Sequence, residues 1–108
     1  MASYLLIESR DPFESKDASY LSDLAVRLAK AGSSVSVLLV QNGVFAARRG
    51  THAETVRRLA AAGVDVFADD FSLRERAITA TSLADGVKTA AIGSVIDHLA
   101  AGHKVLWH

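Results

Sequence analysis

The sequence predicts an α/β protein, a single flavodoxin-like three-layer sandwich on a mostly parallel sheet of about five strands. Three observations lead there. Short, largely apolar runs at residues 4–7, 35–40, 64–67 and 104–107 read as strands, the uninterrupted first of them as one buried on both faces. Between them lie segments whose apolar residues repeat at helical spacing, several closed by a glycine. The regular alternation of the two favours parallel strands joined by crossover helices, with helices on both sides of the sheet.

The first strand is expected over residues 3–8, around Tyr4, Leu5, Leu6 and Ile7. Arg10, Asp11 and Pro12 break it, and Asp17 is placed to cap a helix whose Leu21, Leu24, Ala25 and Leu28 share one face up to Gly32. The valine-rich and leucine-rich second run, 35–40, ends at Gln41, Asn42 and Gly43, which read as a tight strand-exit turn. Thr51 and Glu54 have capping-box spacing ahead of Val56, Leu59 and Ala60, and Gly63 ends that helix. A third strand follows at 64–67. Asp69 or Asp70 comes next, and Ser72 with Glu75 repeats the capping-box spacing before Leu73, Ala77 and Ile78, with the loop-to-helix change near residue 70. From 79 to 89 the pattern is weak, with a short strand around Val87. Ile92, Val95, Ile96 and Leu99 form another apolar face up to Gly102, and 104–107 is the closing strand.

The chain of 108 residues is the size of one core, so a single domain over 1–108 is expected. Half of the residues are hydrophobic and one is proline, the profile of an ordered globular chain. Twelve basic side chains balance twelve acidic ones, which leaves no field to attract bulk nucleic acid or an anionic membrane. No apolar run approaches the roughly 18–20 residues of a membrane span, and no charged leader precedes the first strand, so the cytoplasm is the expected location. The absence of cysteine excludes disulfides, thiolate metal sites and every mechanism with a cysteine nucleophile.

In open parallel sheets ligands bind beyond the carboxyl ends of the strands. The candidate binding rim is therefore Arg10, Gln41, Asn42, Gly43, Asp69, Asp70 and Arg74, with Arg76 beside the last. Asp69 and Asp70 suit helix capping better than acid–base catalysis, and no catalytic residue is assigned. The arginines suit a small anion such as a sulfur oxyanion or phosphate, or simply a solvated surface. His52, His98, His103 and His108 lack metal-ligand spacing, so no metal site and no cofactor is expected, and these are read as surface histidines. A single glycine in the Gln41, Asn42, Gly43 turn is not a phosphate loop, and Gly93 followed by Ser94 is not a nucleophile elbow. Glu8, Ser9 and Arg10 lack the acidic pair that a phosphoryl-accepting receiver domain needs for Mg²⁺.

The segment VLLVQNGVFAARRG, residues 37–50, resembles the second strand and following turn of the DsrE/DsrF/DsrH family of sulfur-relay (TusBCD-like) proteins. GVDVFADDFSLRERAI at 63–78 and KVLW at 104–107 are similar to the family's third strand, arginine-containing helix and closing strand, so the resemblance spans nearly the whole chain. The QNGV turn followed by two alanines, with Trp107 near the end, looks most like the DsrH/TusB-like side. The resemblance implies a transfer cysteine just after the third strand; Asp69 stands there, and a carboxylate cannot form a persulfide. It also implies layered assemblies of related subunits. The expected function is a non-catalytic accessory or structural subunit of such an assembly, in sulfur trafficking through a cysteine-bearing carrier. The alternative is a free-standing homo-oligomer that binds a small anion. Val44, Phe45, Phe71 and Trp107 are the expected subunit contacts.

Overall fold

The computed structural model describes residues 2–15 and 17–108, and the side chains at 18, 51 and 52 lie outside the description. Five strands, β1 (Ser3–Glu8), β2 (Ser34–Leu39), β3 (Asp65–Asp69), β4 (Val87–Ala90) and β5 (Lys104–Trp107), form one sheet in the order β4-β3-β2-β1-β5. Every neighbouring pair is parallel. Among the described residues four α-helices connect them: α1 (Ala18–Lys30), α2 (Glu54–Ala61), α3 (Asp70–Glu75) and α4 (Ser94–Ala100). This is the three-layer α/β sandwich expected from the alternating pattern.

The continuous apolar runs put alternate side chains on opposite faces of the sheet. Leu6, Val35, Val37, Leu39, Val66 and Ala68 face one way, onto Leu21 and Ala25 of α1, Val56 and Leu59 of α2 and Leu73 of α3. Leu5, Ile7, Leu38 and Val40 face the other way, where α4 supplies Val95. Leu5, Leu6 and Ile7 are completely buried, each contributing about 1.5–3 kcal/mol of transfer free energy. β1 is thus an interior strand, between β2 and the edge strand β5, that supplies both faces of the core.

Several local expectations are corrected. Asp17 stands at the head of α1, but its side chain caps nothing there and pairs instead with Arg10 at 3.6 Å. α3 starts at Asp70 with Asp69 as its cap, so Ser72 lies inside the helix, while Ala77 and Ile78 fall beyond its end; Ser72 and Glu75 form no capping box. Thr51 of the proposed capping box and His52 lie outside the described side chains. Gln41, Asn42 and Gly43 open a 3₁₀ helix over Gln41–Ala47, with Gln41 in the left-handed region at φ 50°. Val44 is fully buried and is no subunit contact in this fold. Of the apolar face expected at 92–99 Val95 packs onto the sheet, while Ile92, just before α4, and Ile96 and Leu99 within it are exposed.

Candidate functional site

The carboxyl ends of β2 and β3 open into a cleft of about 720 Å³ bounded by Gln41, Asn42, Asp69, Ser72, Arg76 and, from the α4 side, Ile92 and Trp107. Its geometry begins with a glycine. The last strand residue of β1, Glu8, accepts a hydrogen bond at its carbonyl from Val40 N–H at 2.9 Å. A Cβ on Gly43 would sit 2.2 Å from that same oxygen, so only glycine lets the 3₁₀ turn pack against the end of β1. That close approach, rather than a tight turn as such, is what residue 43 supplies.

The turn is then tied to α3. Asp69 Oδ2 accepts from Ser72 N–H at 3.0 Å and from the Ser72 hydroxyl at 2.7 Å. Ser72 Oγ in turn accepts from Gln41 N–H at 2.8 Å. This chain satisfies the cap of α3 and the strained backbone at Gln41 with one relay of buried groups. The other carboxylate oxygen of Asp69 is buried and has no hydrogen-bond partner among the described residues, an acceptor left open beside the cleft.

Asn42 Oδ1 lies between Nε and Nη2 of Arg76, at 3.1 and 2.9 Å, and Arg76 Nη1 also donates to the Ser72 carbonyl at 3.2 Å. The Arg76 guanidinium sits 5.9 Å from the centre of the Phe45 ring, with that of Arg48 at 4.9 Å. Arg76 is therefore the cleft's guanidinium. Arg74 projects outward, paired at 3.9 Å with Asp70, and Arg10 belongs to a different depression beside Glu8. Of the proposed rim the structure brings together Gln41, Asn42, Gly43 and Asp69, leaves Asp70 and Arg74 on the outer surface of α3, and sets Arg10 apart.

Two arrangements went unread in the sequence. Glu8 is buried at 6% exposure, and His108 approaches both of its carboxylate oxygens through Nδ1, at 3.0 and 2.9 Å. Burial pushes the Glu8 carboxyl above its usual range, and the His108 hydrogen bond and charge pull it back in part. His98 and His103 place their Nδ1 atoms 2.7 Å apart, bridging the end of α4 to the start of β5. One of those rings donates and the other accepts, and two imidazoles alone do not complete a tetrahedral metal site. Among the described residues no group of three or more histidine, aspartate or glutamate side chains is placed to hold a metal. A terminal polar residue on a strand was the available signal for Glu8; nothing in the spacing announced the histidine pair.

Fold and cleft together define a parallel α/β protein with a strand-end site that bears a carboxylate and no thiol. The chain belongs to the DsrE/DsrF-like family, whose model matches residues 2–108. Among solved structures it is similar to the ychN protein of E. coli, at 20% identity over 100% of both chains and a TM-score of 0.90. A protein of unknown function from Methanobacterium thermoautotrophicum aligns at 19% identity and TM-score 0.83, over 99% of this chain and 98% of that one. A conserved protein of unknown function from Bacteroides thetaiotaomicron aligns at 16% identity and TM-score 0.81, over 98% and 94%. At these identities the likeness is one of fold. No curated protein matches the chain in sequence. No helix among the described residues is long and apolar enough to cross a membrane.

Proposed function

We propose that the chain is a non-catalytic subunit of an assembly of DsrE/DsrF-like chains, using its strand-end cleft as a docking surface while the thiol of any sulfur relay comes from a cysteine-bearing partner. The observation that carries this reading is the apolar margin of the cleft. Phe71 is 57% exposed, Ile92 49% and Trp107 62%, all three around the same opening, and Leu106 on the edge strand β5 is 44% exposed. Large apolar side chains gathered around one opening fit a surface that is covered in the working state. Asp69 supplies a carboxylate at the strand end, which cannot form a bond to sulfur, so the thiol has to come from the partner. Nearness to the DsrH/TusB-like side of the family is part of this proposal and rests on the QNGV turn and Trp107.

A second reading, a free-standing homo-oligomer that holds a small anion at the rim, rests on Arg76, because Arg10 and Arg74 point elsewhere. Native mass spectrometry of the protein purified from its own cells separates the two. The first reading expects a related, cysteine-bearing chain in the complex, and Phe71→Asp and Trp107→Asp should release the subunit. A monomer without any partner overturns both; a homo-oligomer carrying an anion establishes the second.

A further inference from the structure

A second depression lies between α1, α2 and the face of β1 and β2 that they cover, and shares no residue with the cleft. Its volume is about 160 Å³. Cavities of about that size accept a molecule as large as benzene. Val37, Leu39 and Leu59 make its apolar floor, while the hydroxyl-bearing residues Ser19, Ser22 and Thr55 stand in its wall. Glu8 reaches it because the pleat puts residue 8 on the same face as Leu6.

The charges around this space are unequal in what they leave free. Arg10 at the rim faces Asp17 at 3.6 Å. Arg58 is paired with Asp23 and donates to Ser22 Oγ at 3.3 Å. Glu8 has His108 as its side-chain partner and also accepts from the Arg10 backbone N–H, which leaves part of the about four lone-pair sites of a carboxylate open. The innermost polar group is therefore an acceptor with capacity to spare, above an apolar floor and below neutralised guanidinium groups. The depression lies at the carboxyl ends of β1 and β2, the end of an open parallel sheet where ligands bind. No serine hydroxyl bonds to an imidazole among the described residues; Ser9 Oγ donates to the His108 main-chain carbonyl at 3.0 Å. A binding role fits the arrangement, and a hydrolytic triad does not.

We propose that this cavity binds a compact molecule with a hydrogen-bond-donating head and an apolar body, an amine or alcohol of roughly six to eight non-hydrogen atoms, its head held by Glu8. A carboxylate head is rejected, because it would face a buried acceptor of its own sign. The proposal is independent of the docking role of the cleft.

The test is an NMR titration of the full chain with cyclohexylamine, cyclohexanol and cyclohexanecarboxylate. The amine and the alcohol are expected to shift the amide resonances of Ser19, Ser22 and Thr55, and the carboxylate to leave them in place. Glu8→Gln should weaken the amine about tenfold, as loss of a charge-assisted hydrogen bond does, and the alcohol much less. Ser19→Phe, at an exposed position on the rim, should abolish both without changing the melting temperature. Should Glu8→Gln fail to fold, Ser19→Phe alone decides. Silence from both the amine and the alcohol, equal binding of the carboxylate, or binding undisturbed by Ser19→Phe overturns the proposal.

Discussion

Arg76 holds the side-chain oxygen of Asn42 in the fork of its guanidinium, Nε and Nη2 lying 3.1 and 2.9 Å from the same atom across 34 residues of sequence. The contact joins the helix after β3 to the turn after β2, so it sets the width of the cleft. A double-mutant cycle between Arg76→Ala and Asn42→Ala should return a coupling of about 0.5–1.5 kcal/mol in urea unfolding. Arg74→Ala, which removes only an exposed pair with Asp70, should change stability by less than about 0.5 kcal/mol. Equal effects at 74 and 76 would remove Arg76 from the cleft's architecture.

Gly43→Ala is expected to be among the most damaging single-methyl changes in the chain. Its Cβ meets the Glu8 carbonyl oxygen at 2.2 Å, a main-chain atom already engaged by Val40 N–H, so the strand end must move. The expected loss is about 3 kcal/mol or more, read as a drop in the urea midpoint. Gly93→Ala, where an added Cβ meets nothing within 4 Å, is the control and should be nearly neutral or slightly stabilising.

Asp69→Ala removes the cap of α3 and the acceptor for the Ser72 hydroxyl together. A loss of about 2 kcal/mol follows from those two buried bonds. Asp69→Asn keeps one acceptor oxygen and should cost less than half as much. Should Asp69→Ala prove as stable as the wild type in chemical denaturation, the Asp69–Ser72–Gln41 relay does not hold this end of the sheet.

Glu8 makes the stability of the fold depend on pH with a definite sign. Its folded-state carboxyl is raised above the usual 4.5, chiefly by burial, so the folded protein binds that proton more tightly than the unfolded chain. The associated stability is present below pH 4.5 and is lost as pH rises through the folded-state value. Glu8→Gln lacks this loss. The melting temperature of wild type relative to Glu8→Gln should therefore fall between pH 4 and 7, with the His108 bond limiting the drop. A difference that stays constant, or that grows in favour of wild type with rising pH, would show that His108 outweighs burial.

Much of this architecture is legible in the sequence, for a physical reason. Strands such as residues 3–8, buried on both faces, need uninterrupted apolar runs, and α1 needs a one-sided stripe; both patterns are local, and the three-layer sandwich follows from their order. Gln41, Asn42 and Asp69 were visible as a site because strand ends collect polar residues that the core cannot take. Arg76 rather than Arg74 entered the cleft because the direction of a guanidinium depends on where α3 begins, and Asp69 caps that helix three residues earlier than the Ser72 and Glu75 spacing suggests. Glu8 with His108, and His98 with His103, were hidden for another reason. The first pair is 100 residues apart and meets only once β5 is laid beside β1; the second meets across a helix end where no fixed period applies.

The pairing of β1 with β5 also orders events in time. β2, β3 and β4 follow β1 in sequence and can add to one side of it as soon as they exist. The other side waits for residues 104–107, which pair with 4–7. Until then β1 presents an open edge, and closing it spans about a hundred residues of loop entropy. A chain still emerging from the ribosome therefore carries this interior strand as a sticky border, exposed to strand addition by a neighbour. Release of the last strand is the step that turns this border into an interior.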